Sequence, residues 1–154
     1  MSHKNTQLVG QRLKTLQIIV MAAVMSLVTY VGISIMLIRQ GAIEPVSMPP
    51  IVLPILCAYS LSTLLTAPLI GKAMTGKARR IMPPTDRLGP YQAAMIVGVA
   101  LRESTGVIGL VLTLLTGNLL WVSLLSGLAA IAILTDFPTR SALENFVRDA
   151  PPIG

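Results

Sequence analysis

Arg102 and Glu103 are adjacent ionisable residues near the middle of an otherwise apolar run from Tyr91 to Thr116. At 1.5 Å per helical residue both lie roughly 16 to 18 Å from the start of that run. A charge that deep in a bilayer costs about 2.5 to 3.5 kcal/mol, so each needs a partner, water or a proton, and neither is expected to face lipid. Successive helical residues point about 100° apart, so the two side chains serve each other poorly and should recruit partners from other helices. Hydroxyls at comparable depth are Ser26, Thr29 and Tyr30, then Ser60, Ser62 and Thr63, then Ser126. Of these, Tyr30, Thr63 and Ser126 join Arg102 and Glu103 as the candidate polar network or ion site.

Two kinds of chemistry suit such a group. A carboxylate held away from water can take up and release a proton or a sodium ion, which makes Glu103 a candidate carrier. The same residues can instead form a static network that sets helix register, where each hydroxyl bond is worth about 0.6 kcal/mol. Catalysis suits neither arrangement. No nucleophile stands beside a base, metal ligands are not clustered, and no Gly-rich phosphate loop precedes a helix, so neither an enzyme nor a cofactor is expected. His3 is the only histidine and Cys57 the only cysteine. A histidine-based metal or haem site and an internal disulfide are therefore excluded.

Small residues surround the charged pair. Gly98, Gly106 and Gly109 fall four before, four after and seven after Arg102, and Ala94 extends the stripe toward the start of the helix. Ser123, Ser126, Gly127 and Ala130 offer a matching surface further along the chain. Small residues at helical spacing let membrane helices approach closely, within one chain or between copies.

The elements that would hold these residues follow from the apolar runs. Leu16 to Ile38, Pro50 to Ile70, Tyr91 to Thr116 and Leu119 to Leu134 are four candidate spans, set against the roughly 20 residues needed to cross a hydrocarbon core. A cleaved leader has an apolar region of only about 7 to 15 residues, so the first run is expected to stay in the mature chain. Gly41, Pro45 and Pro49 break the chain after the first run, and Gly117-Asn118 gives a tight turn after the third. Residues 71–90 form the one substantial loop, with Lys72, Lys77, Arg79, Arg80 and Arg87 as a basic cluster. Residues 1–15 form an N-terminal tail, and Ser141 with Glu144 has the spacing of a capping box that starts a short final helix within residues 136–154. Leu143, Phe146 and Val147 share one face of that helix, which suits either the headgroup region or the end of its own bundle.

Composition supports a lipid solvent. The chain is 53% hydrophobic and 12% charged, where soluble domains average roughly 25% charged residues. Its net charge of +6 raises nucleic acid as a partner, yet the basic residues flank apolar runs and no aromatics are interleaved among them, so none is expected. Ten basic residues fall on the side of the tail, the long loop and the C-terminal segment, against Arg39 alone on the other. That bias places both termini in the cytoplasm.

The run Ala100-Leu101-Arg102-Glu103, followed by Gly109-Leu110-Val111, resembles the carboxylate-bearing helix of the proteolipid c subunits of rotary ATP synthases. This resemblance implies an ion-carrying role for Glu103. Across most of its length the chain also resembles a family of small uncharacterised four-helix bacterial membrane proteins. The residues that carry this likeness are Tyr91-Gln92-Ala93-Ala94-Met95-Ile96, Ala100-Leu101-x-Glu103, Leu114-Leu115-Thr116-Gly117 and Phe137-Pro138-Thr139-Arg140.

The expectation is thus an all-α protein of the bacterial inner membrane, with four transmembrane helices as two antiparallel hairpins and a short interfacial C-terminal helix. Its expected partners are membrane lipids and either copies of itself or other membrane subunits. It would act as an accessory or oligomer-forming subunit, or alternatively as a proton or sodium carrier through Glu103.

Overall fold

A computed structural model describes residues 3–47, 49–81 and 87–148, with side chains described for these except 3–9, 78–81 and 147–148. Five helices are present among the described residues: α1 (His3–Arg39), α2 (Val52–Ile81), α3 (Leu88–Thr116), α4 (Leu120–Thr135) and α5 (Arg140–Arg148). Those whose apolar stretches are long enough to cross a membrane are Gly10–Arg39, Val52–Lys77 and Leu88–Thr116, so the chain is a membrane protein. Their outward faces agree: Ile18, Met21, Met25 and Val28 on α1 and Leu61, Leu65 and Leu69 on α2 are exposed at helical spacing.

Two helices are longer than the apolar runs imply. α1 starts at His3 instead of near Leu16, because residues 7–15 are mostly good helix formers with no proline, and extending an existing helix is far easier than nucleating one. What reads as a tail is thus largely helical, and its Arg12 donates to Gln92 Oε1 on α3 at 2.5 Å. α2 likewise runs past Ile70 to Ile81. Lysine, arginine, alanine and methionine outweigh Gly71 and Gly76 there, since one interior glycine costs only about 1 kcal/mol. Lys72, Lys77, Arg79 and Arg80 therefore lie on the last turns of α2 and not in a loop, although the side chains of Arg79 and Arg80 are outside the described residues. Of the basic cluster only Arg87 lies off that helix, buried just ahead of α3. Pro83, Pro84 and Asp86 also fall outside the described residues.

Contacts step along the helices in a consistent order. Arg12 meets Gln92, Ser26 meets Glu103, and Leu27 lies where a Cβ on Gly106 would be, so α1 and α3 advance together. Along α4 the order reverses: Val122 donates to Thr113, Leu125 lies against Gly109, and Asp136 reaches Arg102. α3 is the central helix. One core packs Val20, Ala23 and Leu27 of α1 with Val99 of α3 and Ala129 and Ile133 of α4. A second, nearer the α3–α4 turn, joins Ile108, Leu112 and Leu125 with Leu53, Leu56 and Cys57 of α2.

The turn between α3 and α4 is held locally. Gly117 takes φ +69°, a left-handed backbone that glycine adopts freely, and its N–H donates to Thr113 O at 2.8 Å. The fully buried Thr113 hydroxyl accepts from Val122 N–H at 3.0 Å and donates to Asn118 O at 3.1 Å. The α1–α2 linker lies over this turn, with Val46 N–H on Leu115 O at 3.0 Å.

At the opposite end α5 bends 60° from α4. Its cap is Thr139, whose hydroxyl accepts from Ala142 N–H at 3.3 Å, two residues earlier than the expected Ser141. Glu144 pairs with Arg140 at 2.8 Å and does not close a capping box, because the i,i+4 arginine competes for it. Leu143 and Phe146 are buried, and the Phe146 ring lies 4.9 Å from that of Tyr91. Of the two settings the sequence left open for this apolar face, Leu143 and Phe146 take the end of the chain's own bundle; the side chains of Val147 and Arg148, and residues 150–152, lie outside the described residues.

The two halves of the glycine stripe behave differently. A Cβ on Gly109 would sit 3.0 Å from Trp121 O and 3.1 Å from Val122 Cα, backbone atoms that cannot swing aside. A Cβ on Gly98 would meet nothing within 4 Å. Gly109→Val should therefore cost about 1 to 3 kcal/mol, whereas Gly98→Ala should be neutral or gain up to about 1 kcal/mol of helix propensity, as measured by thermal unfolding in a mild detergent.

Candidate intramembrane polar site

Arg102 and Glu103 project from α3 in different directions, and each finds its partner on a different element. A helical side chain leans toward the N-terminus of its own helix. For Arg102 that is the end at which α4 stops. Its Nη2 makes a hydrogen-bonded ion pair with Asp136 Oδ2, where Arg102 is 7% exposed and the Asp136 side chain 51%. The guanidinium thus reaches out of the apolar zone toward the bundle end, and its cost of burial falls accordingly.

Asp136 is the functional residue that sequence reading missed, although helix arithmetic contains the signal. Counted from the α3–α4 turn, Arg102 lies roughly 22 Å along α3 and Asp136 roughly 27 Å along the returning chain. That difference matches an arginine side chain leaning toward its own N-terminus. Asp136 is also the first ionisable residue after the turn.

Glu103 faces α1. Its Oε1 accepts hydrogen bonds from Ser26 Oγ and, at 3.2 Å, from the Tyr30 hydroxyl. Ser26 Oγ lies 2.8 Å from Ala23 O as well, and a single hydroxyl proton serves one of these acceptors at a time. Among the described residues no cation pairs with Glu103, because its neighbour Arg102 is committed elsewhere.

Thr63 and Ser126 are not brought into this group. The Thr63 hydroxyl bonds to Thr105 Oγ1 at 3.0 Å and to Ser60 O at 2.8 Å, joining α2 to α3 half a turn beyond Glu103. Ser126 is buried, its Oγ has no hydrogen-bond partner among the described residues, and it packs beside Gly106. Thr29 and Ser62 bond to carbonyls of their own helices. Of the small-residue stripe, Gly106 and Gly109 admit α1 and α4, while Ala94 and Gly98 border open space between α2 and α3. Lys72 and Lys77 are exposed on α2.

Among the described residues no cluster of three or more histidine, cysteine or acidic side chains could hold a metal ion. The chain matches no protein-family model, no curated protein and no solved structure.

Removing one member of the Arg102–Asp136 pair leaves a charge in a poorly solvated place. Asp136→Asn should destabilise by about 1 to 3 kcal/mol, less than the roughly 3 to 5 of a wholly buried pair because Asp136 is half exposed. The double variant Arg102→Leu with Asp136→Asn should lose less than the sum of the singles, with a coupling of about 1 kcal/mol or more in a double-mutant cycle on the detergent-solubilised protein.

Proposed function

We propose that the chain spans the membrane four times, with α3 and α4 as an antiparallel hairpin; α1 and α2, expected from the sequence as a second hairpin, instead each pack on α3 and hardly on one another. The 16 residues of α4 reach about 24 Å at 1.5 Å per residue, and the turn at Gly117 and Asn118 supplies the remainder. The excess of basic residues toward the tail, the end of α2 and the C-terminal segment supports a reading with both termini on the cytoplasmic face of a bacterial plasma membrane.

In this reading the protein is a non-enzymatic membrane component that acts by assembly, with itself or as an accessory subunit of a larger complex. One observation carries the proposal. Three polar side chains of α3 are committed to other parts of the same chain: Glu103 to α1, Thr105 to α2 and Arg102, through Nη2, to Asp136 after α4. What α1, α2 and α4 turn outward is mainly apolar, including Met21, Met25, Leu65, Leu69, Leu124 and Leu128. Side-by-side contact within the bilayer is the interaction such a surface supports, with lipids and with other membrane helices.

A second reading, ion transport, is favoured by the surroundings of Glu103. Its carboxylate is held by two hydroxyls and is free of the adjacent guanidinium, which is the setting a proton or sodium carrier needs. The likeness of the Ala100 to Val111 run to rotary proteolipids points the same way.

Two measurements decide. Purified in mild detergent, the protein should run as a multi-copy species or with a stoichiometric companion, and a lone monomer would sink the assembly reading. In reconstituted vesicles Glu103→Gln should leave proton and sodium leak unchanged and alter unfolding by no more than about 1 kcal/mol, the worth of one exchanged hydrogen bond. Loss of a wild-type flux, or of carbodiimide labelling, in that variant would instead establish the carrier.

A further inference from the structure

Between α2 and α3 lies a groove of about 230 Å³, lined on one side by Ala67, Gly71 and Lys72 and on the other by Ala94, Gly98 and Arg102. Tyr91 and Asp136 also border it. Its glycines do the opposite of what glycines between membrane helices usually do. Gly71 and Gly98 have nothing within 4 Å of a Cβ position, so they keep space open instead of bringing two backbones together. Gly98 is nevertheless buried. The groove is open along the exposed Lys72 side and reaches in to the buried Ala94 and Gly98.

Charge gives this space a preference. Arg102, more than nine-tenths buried, spends Nη2 on Asp136 while its Nε has no acceptor among the described residues. A buried guanidinium with an unused donor is costly, about 1 to 3 kcal/mol for one unsatisfied group and more where charge is involved. Lys72 adds a second cation at the groove, and Asp136 alone opposes them, so the lining carries one net positive charge. An arginine fork and a lysine point charge together suit tetrahedral oxyanions. The volume is below the roughly 300 to 1,000 Å³ of sites for cofactors and drug-sized ligands. It holds a headgroup-sized anion and little more.

We propose that this groove binds a phosphate group, with the Arg102 guanidinium and the Lys72 ammonium as its ligands and the open space beside Gly71 and Gly98 as its seat. Two sources carry that chemistry, the headgroup of an anionic phospholipid and a small soluble phosphate. The site is independent of Glu103, which faces α1, so its test does not bear on the carrier reading.

The experiment follows the unfolding midpoint of the full chain in nanodiscs of phosphatidylcholine, of phosphatidylcholine with phosphatidylglycerol, and of phosphatidylcholine with added inorganic phosphate or glycerol phosphate. Ligand at about a hundredfold its Kd should raise the midpoint by roughly 5 °C or more. A rise with phosphatidylglycerol alone identifies a lipid headgroup, and a rise with the soluble anions identifies a free phosphate; either supports the site. Gly98→Leu, which fills the groove from a position with no neighbouring atoms, should abolish the increment. Lys72→Gln, at an exposed position that folding does not need, should reduce it at least severalfold, while Lys77→Gln on the same helix should leave it intact. Absence of any rise, or a rise that survives in Lys72→Gln and in a folded Gly98→Leu, would overturn the proposal.

Discussion

The constraint behind the whole arrangement is that α3 carries two charges and several hydroxyls through a region where neither water nor lipid can bond to them. A bilayer interior offers no donors or acceptors, so these groups must be met by the rest of the chain. The outcome is a division of labour around one helix. Glu103 turns to the Ser26 and Tyr30 hydroxyls on α1, Thr105 to Thr63 on α2, and Arg102 to Asp136 beyond α4. Satisfying α3 therefore brings all the other long segments alongside it. Apolar contact between helices is no better than contact with acyl chains, so these polar contacts and the close packing between them supply specificity.

Close packing is concentrated at Gly106 and Gly109. The backbone of α4 from Trp121 to Val122 lies against Gly109, and Leu27 occupies the space a side chain on Gly106 would need. Eight to fifteen residues earlier on the same stripe the relation inverts, since Ala94 and Gly98 border the groove shared with α2. A single spacing of small residues thus does two jobs on one helix. The change occurs near Arg102, where the last turns of α4 give way to Asp136 and the 60° bend into α5.

The two ends of the bundle are closed by different means. At the end with the short turns, backbone and hydroxyl bonds dominate: Thr113 fastens the turn at Gly117, and the α1–α2 linker bonds to Leu115. At the other end side chains from distant parts of the chain meet. Gln17 reaches Pro138 O at 3.3 Å, Arg12 reaches Gln92, and the Phe146 ring meets that of Tyr91 at a tilt of 46°. α5 uses its apolar side there, and Arg140 with Glu144 remains on its solvent side.

Local chemistry alone settled the helical class, the placement of the apolar runs, the turn at Gly117 and the need of Arg102 and Glu103 for partners on other helices. Each of these depends on hydropathy, on a few turn residues and on the cost of an uncompensated charge, all of which act within a short stretch of chain. The ends of α1 and α2 were not legible in that way, because polar helix formers such as those before Leu16 and after Ile70 extend a helix only if an existing one reaches them. Which partner each polar group takes was decided by tertiary structure. The assignment of Thr63 to Thr105 instead of Glu103, the choice of Asp136 for Arg102, and the opening beside Gly98 all depend on the relative rise and rotation of neighbouring helices. Those offsets are set by packing summed over the bundle, and no single residue in the sequence records them.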